Sequence, residues 1–190
     1  MRYANEHKVF LALVRAGLWE KEVQLLSFGD IDYSAILKLA EEQSVVGLVA
    51  AGLEHVKDVK VPQEWALQFI GQTLQIEQRN KVVNDFIGKL SERLRSEGVS
   101  FVMVKGQGVA QCYEKPLWRA SGDVDLLLDK DNYEKAKRVL FPIADEIEKE
   151  NVATKHQALK IMGVDVELHG RMPFSLSRTT DKIVDEVIDK

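Results

Sequence analysis

Apolar residues recur every three or four positions through the first part of the chain, which is the spacing of an α-helix with one buried face. A first helix is predicted over residues 5–19, and Asp30 or Asp32 is placed to cap a second. Gly47 and Gly52 obscure the far end of this second helix. The apolar stripes are better explained as the core of a small helical bundle than as a cofactor-binding face.

The helical spacing resumes at Pro62, a residue suited to the first turn of a helix, and continues to about Glu97. At Gly98 it gives way to short apolar runs bounded by glycine and proline, which are typical of β-strands. This change predicts two domains, a helical segment over residues 1–97 and a small α/β core over residues 98–190.

The second part of the chain alternates strands with helices. Strands are predicted over residues 99–104, 124–128, 155–162 and 164–169, and helices over residues 107–113, 133–140 and 176–190. The last two strands meet at Gly163 as a hairpin, Pro116 ends the first of these helices, and Asp131 is placed to cap the second. The acidic run over residues 145–150 is interpreted as a solvated segment, because it lacks the glycine and the spacing of a calcium loop.

These elements predict an α+β fold, in which an N-terminal helical bundle precedes a small mixed sheet with helices packed on it. The last helix ends without a capping signal, which is the pattern expected of a core truncated at its C-terminus.

Composition narrows the class of protein. The 190 residues are 45% hydrophobic and 29% charged, as in a globular protein with a real core. The formal charge of −4 argues against broad nucleic-acid binding. The single cysteine, Cys112, excludes an intrachain disulfide and is predicted to be buried in a helix. No run approaches the ~20 apolar residues of a membrane span, and no secretion signal is found, so we expect a cytoplasmic protein.

Two aspartates, Asp123 and Asp125, stand at the start of the second predicted strand. Because side chains alternate along a strand, residues i and i+2 project from one face about 7 Å apart, and their carboxylates can lean together around one hard cation. Mg²⁺ prefers oxygen ligands and commonly takes one or two carboxylates together with substrate phosphates. The pair therefore predicts a site for Mg²⁺ or Mn²⁺, and a solvated acidic pair beside a turn is the alternative.

A third acidic group is expected from the last predicted strand, where Asp165, Glu167 and His169 alternate with apolar residues. Glu167 is the preferred candidate because it is central in the strand and has an apolar anchor on each side, and Asp165 is the alternative. His169 is predicted to pack or to form a hydrogen bond rather than to bind a metal. The reason is that His156 lies thirteen residues earlier, outside the spacing of paired ligands.

A glycine turn follows the first predicted strand at Lys105, Gly106 and Gln107. A glycine in this position lets the backbone approach a phosphate closely, and the helix that follows begins with unpaired N–H groups. Lys105 and Arg119 are the cations placed to meet a triphosphate. Each residue also has a structural interpretation: Lys105 as a surface lysine and Arg119 as a member of an ion pair.

Four motifs occur in order along this half of the chain: Lys105-Gly106, Arg119, Gly122-Asp-Val-Asp-Leu-Leu-Leu128 and Val166-Glu-Leu-His169. Together they resemble the nucleotidyltransferase superfamily that shares the DNA polymerase β fold. The set looks closest to a poorly characterised bacterial branch of that superfamily, which has Lys-Gly in the first turn and Gly-Asp-hydrophobic-Asp-Leu-Leu in the second strand.

The resemblance implies an enzyme that uses Mg²⁺ or Mn²⁺ to transfer a nucleoside monophosphate from a nucleoside triphosphate to an acceptor hydroxyl. Asp123 and Asp125 would be the catalytic metal-binding pair, Glu167 the third carboxylate, and Gly106 part of the phosphate-binding turn. Members with established activity commonly have serine after the turn glycine, where this chain has Gln107.

Two further hypotheses stay open. A relative with a degenerate site would bind a nucleotide without transferring it, or would act as a protein-interaction module through its helical half. Alternatively, the acceptor of the nucleotide would be a partner protein rather than a small molecule.

Overall fold

The computed structural model describes residues 2–171, with side chains from Asn5 onward. The α-helices are, in chain order, α1 (Arg2–Trp19), α2 (Tyr33–Glu42), α3 (Val46–Glu54), α4 (Gln63–Ser96), α5 (Gly106–Ala110) and α6 (Lys130–Leu140). The strands are β1 (Val102–Val104), β2 (Val124–Leu127), β3 (Glu146–Ile147), β4 (His156–Ile161) and β5 (Val164–His169). Short 3₁₀ helices cover Leu26–Phe28, Pro116–Trp118 and Phe141–Ile143. The protein therefore has the predicted α+β fold with a helical N-terminal region.

Backbone contacts divide the described residues into two compact units. The first unit contains residues 2–82 and 110–120, and the second contains residues 83–109 and 121–171. The division falls inside α4, whereas the hydrophobic pattern changes only where that helix ends. The domain boundary at residue 97 stays a prediction.

The first unit has a core formed by α1, α2, α3 and the first part of α4. Its buried members are Val9, Phe10, Leu13, Leu25, Ile36, Leu37, Ala40, Val46, Val49, Ala50 and Phe69. α1 and α3 pack closely, because a Cβ atom added to Gly17 would lie 2.0 Å from the Leu48 carbonyl oxygen. A Cβ atom added to Gly52 would lie 2.1 Å from the carbonyl oxygen of Leu13. Gly52 is therefore a helix-packing position.

The second unit contains a single sheet with the strand order β1-β2-β5-β4-β3. β2 and β5 are parallel, and the other neighbouring strands are antiparallel. One face of this sheet packs with α6 and the last part of α4. The buried residues of this core are Val83, Leu90, Leu94, Val99, Val124, Leu126, Leu128, Tyr133, Ala136, Leu140, Leu159, Ile161, Val166 and Leu168. The alternate side chains of β2, β4 and β5 project from the opposite face.

Two helix caps are defined by side-chain hydrogen bonds. Asp32 caps α2, because its carboxylate accepts a bond of 3.1 Å from the Ala35 N–H, and this distinguishes it from Asp30. The cap predicted at Asp131 is wrong. α6 begins at Lys130, three residues before the predicted start, and Asp129 is its cap. The Asp129 carboxylate accepts hydrogen bonds from the N–H groups of Asp131 and Asn132.

One other local prediction is also corrected. The helix predicted over residues 107–113 ends at Ala110, which leaves Cys112 exposed rather than buried. The acidic run over residues 145–150 is exposed over residues 145–149, as predicted for a solvated segment, and it contains the edge strand β3, which pairs with β4.

The hairpin predicted at Gly163 is confirmed, since β4 and β5 pair on either side of this residue, whose φ is +75°. The helix predicted over residues 176–190 lies outside the described residues. Within residues 2–171, no helix combines the length and the apolar character needed to cross a membrane.

Candidate active site

The polar face of the sheet is built from residues that lie opposite one another on neighbouring strands. Asp125 of β2 lies beside Glu167 of β5, and Ala158 of β4 lies on the other side of Glu167. Farther along β5, His169 lies opposite His156 of β4. The strand register therefore gathers acidic and imidazole side chains on one face.

The carboxylates of Asp123, Asp125 and Glu167 converge on this face. One oxygen of each lies within 4.8 Å of the other two. Ligands of octahedral Mg²⁺, at about 2.0–2.1 Å from the ion, lie about 2.9–4.2 Å from one another, so small side-chain movements would bring all three onto one ion. Asp165, the alternative third carboxylate, is not a member of this group and lies 3.5 Å from the Lys160 ammonium.

Asp125 has no exposed surface, and its two carboxylate oxygens have different surroundings. Oδ1 accepts a hydrogen bond of 2.7 Å from Lys105 Nζ and lies 2.8 Å from His169 Nε2. Oδ2 is buried and has no hydrogen-bond partner among the described residues. Leaving a buried carboxylate oxygen without a partner is unfavourable by about 1–3 kcal/mol or more. A cation at Oδ2 would remove this penalty, so the donor set fits a hard divalent ion.

Lys105 supplies a positive charge next to these carboxylates. The hydrogen bond to Asp125 raises the pKa of Lys105, partial burial opposes this rise, and the charges of Asp125, Glu167 and Asp123 add to it. The Lys105 side chain is half exposed. Lys105 follows directly after β1, and its backbone φ is +53°. The structure thus places Lys105 at the carboxylate site, while its contact with a triphosphate stays a prediction.

The turn after β1 supports the segment that enters β2. Gly106 has φ of +26°, and a Cβ atom at this position would lie 2.9 Å from the carbonyl oxygen of Asp123. A larger residue at Gly106 would therefore push on the backbone that carries this aspartate. Gln107 is buried, and its amide donates a hydrogen bond of 2.8 Å to Ser121 Oγ.

A cavity of about 440 Å³ opens beside the carboxylates. The charged and imidazole side chains in its lining are those of Asp123, Glu146, Glu148, His156, Lys160, Asp165 and Glu167. Carboxylates outnumber cations in this lining, so an anionic substrate would be repelled unless cations entered with it.

His156 and His169 are candidate functional residues whose proximity the sequence analysis did not predict. Their ring centroids are 5.0 Å apart, and both Nε2 atoms approach the same oxygen of Glu167, Oε2, at 3.2 Å from His156 and 3.3 Å from His169. The hydrogen bond predicted for His169 is confirmed, since its Nε2 lies 2.8 Å from Asp125 Oδ1. The predicted hairpin contained the information needed to place these two histidines side by side. A hairpin that pairs Ile161 with Val164 also pairs the residues five positions farther from the turn on each strand, which are these two histidines.

Arg119 belongs to the first unit. Its carbonyl oxygen accepts a hydrogen bond of 2.8 Å from Asn80, and its guanidinium carbon lies 6.0 Å from the ring centre of Tyr113. The predicted contact between Arg119 and phosphate stays a prediction.

Comparisons with known proteins support the resemblance read from the motifs. Residues 29–190 match the model of a family described as an uncharacterised nucleotidyltransferase, and this range includes Lys105, the three converging carboxylates and both histidines. No curated protein and no solved structure matches the chain significantly. Because the family match spans most of the sequence, the chain belongs to this family of nucleotidyltransferases.

Proposed function

We propose that the protein transfers a nucleoside monophosphate from a nucleoside triphosphate to an acceptor hydroxyl, in a reaction that depends on Mg²⁺ or Mn²⁺. Asp123, Asp125 and Glu167 would hold the cation, which when bound would neutralise negative charge on the phosphates and on the leaving pyrophosphate. The family match supports the transferase class. The donor, the metal and the residue roles are the proposed part.

The single observation that carries the proposal is the buried Asp125 carboxylate with one unpartnered oxygen, within 4.8 Å of carboxylate oxygens of Asp123 and Glu167. A purely structural aspartate would be expected to have both oxygens satisfied. The acidic lining of the adjacent cavity also supports a cation-dependent reaction, because the carboxylates would repel a triphosphate that entered without bound cations.

In the proposed reaction, the acceptor oxygen attacks the α-phosphorus, and the bond from this phosphorus to the bridging oxygen of the β-phosphate breaks. Pyrophosphate leaves with the electron pair of that bond. The hydroxyl proton passes to a carboxylate, for which Glu167 is the candidate because it borders the cavity. Lys105 would meet the negative charge of the triphosphate, since its ammonium lies at the site and its side chain is half exposed.

The proposal is tested with nucleoside triphosphates labelled at the α-phosphate, a cell lysate as the source of acceptors, and Mg²⁺ or Mn²⁺. Label that moves to a protein band on a gel identifies a protein acceptor, and label in the small-molecule fraction identifies a metabolite. D123N and E167Q are expected to reduce transfer at least ~100-fold.

D165N is the matched control, because Asp165 lies on the same strand as Glu167 and also lines the cavity, but is outside the converging group. It is expected to keep transfer within a few-fold of the wild-type rate. The proposed roles are contradicted if D123N and E167Q transfer label as the wild type does.

One observation favours a second function, nucleotide binding without transfer. The Lys105 ammonium lies 2.7 Å from the Asp125 carboxylate and compensates its charge. A protein of this kind would bind a triphosphate with Mg²⁺ in calorimetry and would release no pyrophosphate with any acceptor fraction. Pyrophosphate release that depends on Asp123 would exclude it.

A further inference from the structure

We propose that His156, His169 and Glu167 form a second metal site, which takes Zn²⁺ or a similar first-row transition-metal ion and shares Glu167 with the carboxylate site. Two imidazoles with one carboxylate are a ligand set that suits zinc, whereas Mg²⁺ prefers oxygen ligands alone. The site does not require the proposed transfer reaction, because its ligands are defined by the β4–β5 hairpin.

The three ligand atoms already converge. The Nε2 atoms of His156 and His169 lie 3.2 and 3.3 Å from Glu167 Oε2, and each of the three residues offers a ligand atom within 4.8 Å of those of the other two. Two ligands at about 2.0–2.1 Å from a tetrahedral Zn²⁺ lie about 3.3 Å apart. The two distances to Glu167 are therefore close to the edge of a zinc tetrahedron, so the ligands would need little movement to bind the ion.

The ligands are held by regular secondary structure. His156 and His169 lie directly opposite each other in the β4–β5 ladder, and Glu167 is two residues before His169 on the same face. The residue opposite Glu167 is Ala158, whose small side chain leaves room between the imidazoles and the carboxylate. Ligands on paired strands need little ordering when a metal binds.

The arrangement also gives access to the metal. His156 and Glu167 both line the cavity described above. A zinc ion held by the three proposed ligands would therefore have its fourth coordination position open to this cavity. Zinc sites with three protein ligands keep the fourth position for water or substrate. Glu167 has two carboxylate oxygens, so Oε2 can bind in the histidine site while the other oxygen remains for the carboxylate site.

Metal binding changes the hydrogen bonds of His169. Its Nε2 lies 2.8 Å from Asp125 Oδ1. Coordination of the metal through Nε2 would displace the proton from this nitrogen and would free Asp125 Oδ1 from His169. The histidine site and the carboxylate site are therefore coupled through two residues, Glu167 and Asp125.

The test uses the full chain freed of metal by a chelator and then titrated with Co²⁺, whose visible absorption reports tetrahedral ligands. The wild type is expected to take up one equivalent with intense tetrahedral bands, which Zn²⁺ removes and Mg²⁺ does not. H156A is expected to bind Co²⁺ at least ~10-fold more weakly. H55A is the matched control, because His55 lies 2.9 Å from Glu20 and so also forms a histidine–glutamate pair, but in the first unit.

The wild type alone can overturn the proposal, whatever the variants do to folding. Ring-nitrogen NMR of the four histidines should show that Zn²⁺ shifts the signals of His156 and His169 only. A wild type without tetrahedral bands, or Zn²⁺ shifts confined to other histidines, would overturn the site. D123N distinguishes the two proposals, since it should abolish transfer and keep the Co²⁺ spectrum. A wild type that shows the spectrum but no transfer would support the histidine site and contradict the proposed function.

Discussion

Asp125 links the two proposed ion sites, since its Oδ1 contacts Lys105 and His169 and its Oδ2 has no partner among the described residues. A buried carboxylate needs compensating charge, and the Lys105 ammonium, 2.7 Å away, provides it. We therefore interpret Lys105 as a counter-ion that competes with a divalent cation for Asp125.

Replacing Lys105 by methionine tests this competition. In the presence of a chelator, K105M is expected to be less stable than the wild type by about 1–3 kcal/mol, because Asp125 loses a partner. The same variant should bind Mg²⁺ more tightly than the wild type in calorimetry. K89M is the control, because Lys89 is an exposed residue of α4. Equal stability and equal Mg²⁺ affinity for K105M and K89M would contradict the interpretation.

A second prediction concerns the cap of α6 and its dependence on pH. The hydrogen bond from the Asn132 N–H is the largest of the interactions that lower the pKa of Asp129 below its ordinary value of 3.8. A carboxyl group with a lowered pKa stabilises the fold above its unfolded pKa, and this contribution is lost as the pH falls through the folded pKa. D129A should therefore reduce stability by about 1 kcal/mol at pH 7, and the difference should shrink below pH 3.8.

Urea unfolding of the wild type and D129A between pH 3 and pH 7 measures this difference. D131A is the control, since Asp131 lies in the first turn of α6, where its charge interacts with the helix dipole for about 0.3–1 kcal/mol. A larger loss for D131A than for D129A would show that the cap is assigned to the wrong aspartate.

Local spacing in the sequence predicts the three carboxylates that the structure brings together, while their roles stay predictions. The separation of Asp123 and Asp125 along a strand indicates the pair, and the position of Glu167 between two apolar residues indicates the third. Spacing along the chain does not predict the pairing of the two histidines, because a hairpin brings residues together across the turn. The buried position of Gln107 depends on packing and is not encoded in any local pattern.

Among the helices, α1 and α3 show how two glycines determine a packing distance. A Cβ atom on Gly52 would lie 2.1 Å from a backbone carbonyl of α1, which no side-chain rotation can relieve. G52A is therefore expected to destabilise the protein by about 1–3 kcal/mol, although alanine is the better helix former. Thermal unfolding followed by circular dichroism measures the effect.

The control for G52A is G71A, because Gly71 lies inside α4 and has open space where its Cβ would be. This variant should be more stable than the wild type by about 0.5–1 kcal/mol, since alanine replaces glycine in a helix without a clash. The packing interpretation fails if G52A is as stable as G71A.

Hydrophobic spacing predicted the long helices and the β4–β5 hairpin well, because each buries a regular stripe or alternate residues. It did not predict β3, whose two residues are too few to show a period. The spacing also did not predict the parallel pairing of β2 with β5, since strands so far apart in sequence leave no local trace of their register. The glycines at 47 and 52 obscure a helix boundary in the sequence because both are close-packing positions: a Cβ atom on Gly47 would lie 2.0 Å from the Trp118 carbonyl oxygen.

For the whole molecule, the presence of two separate cores predicts where a bound cation should have its effect. A ligand that binds only the native state stabilises the cooperative unit that contains its site, by about 2.7 kcal/mol at a concentration 100-fold above Kd. Mg²⁺ is therefore expected to slow hydrogen exchange of the amides in β2 and β5. The amides of α1 and α3 serve as the internal reference.

Hydrogen exchange with mass spectrometry measures this difference, with D123N as the variant that should lose it. Protection that increases equally in α1 and β5, or that is unchanged in β5, would contradict a cation site on the sheet.

The alternation along β5 has an evolutionary consequence. Val166 and Leu168 belong to the core, and Glu167 and His169, the residues between and after them, face the site. Inserting or deleting one residue just before this strand would turn the side chains of Glu167 and His169 toward the hydrophobic core and those of Val166 and Leu168 toward water. Natural variants of this segment should therefore change by substitution and keep their length, because the same alternation of side chains places the core residues and the polar residues on their respective faces.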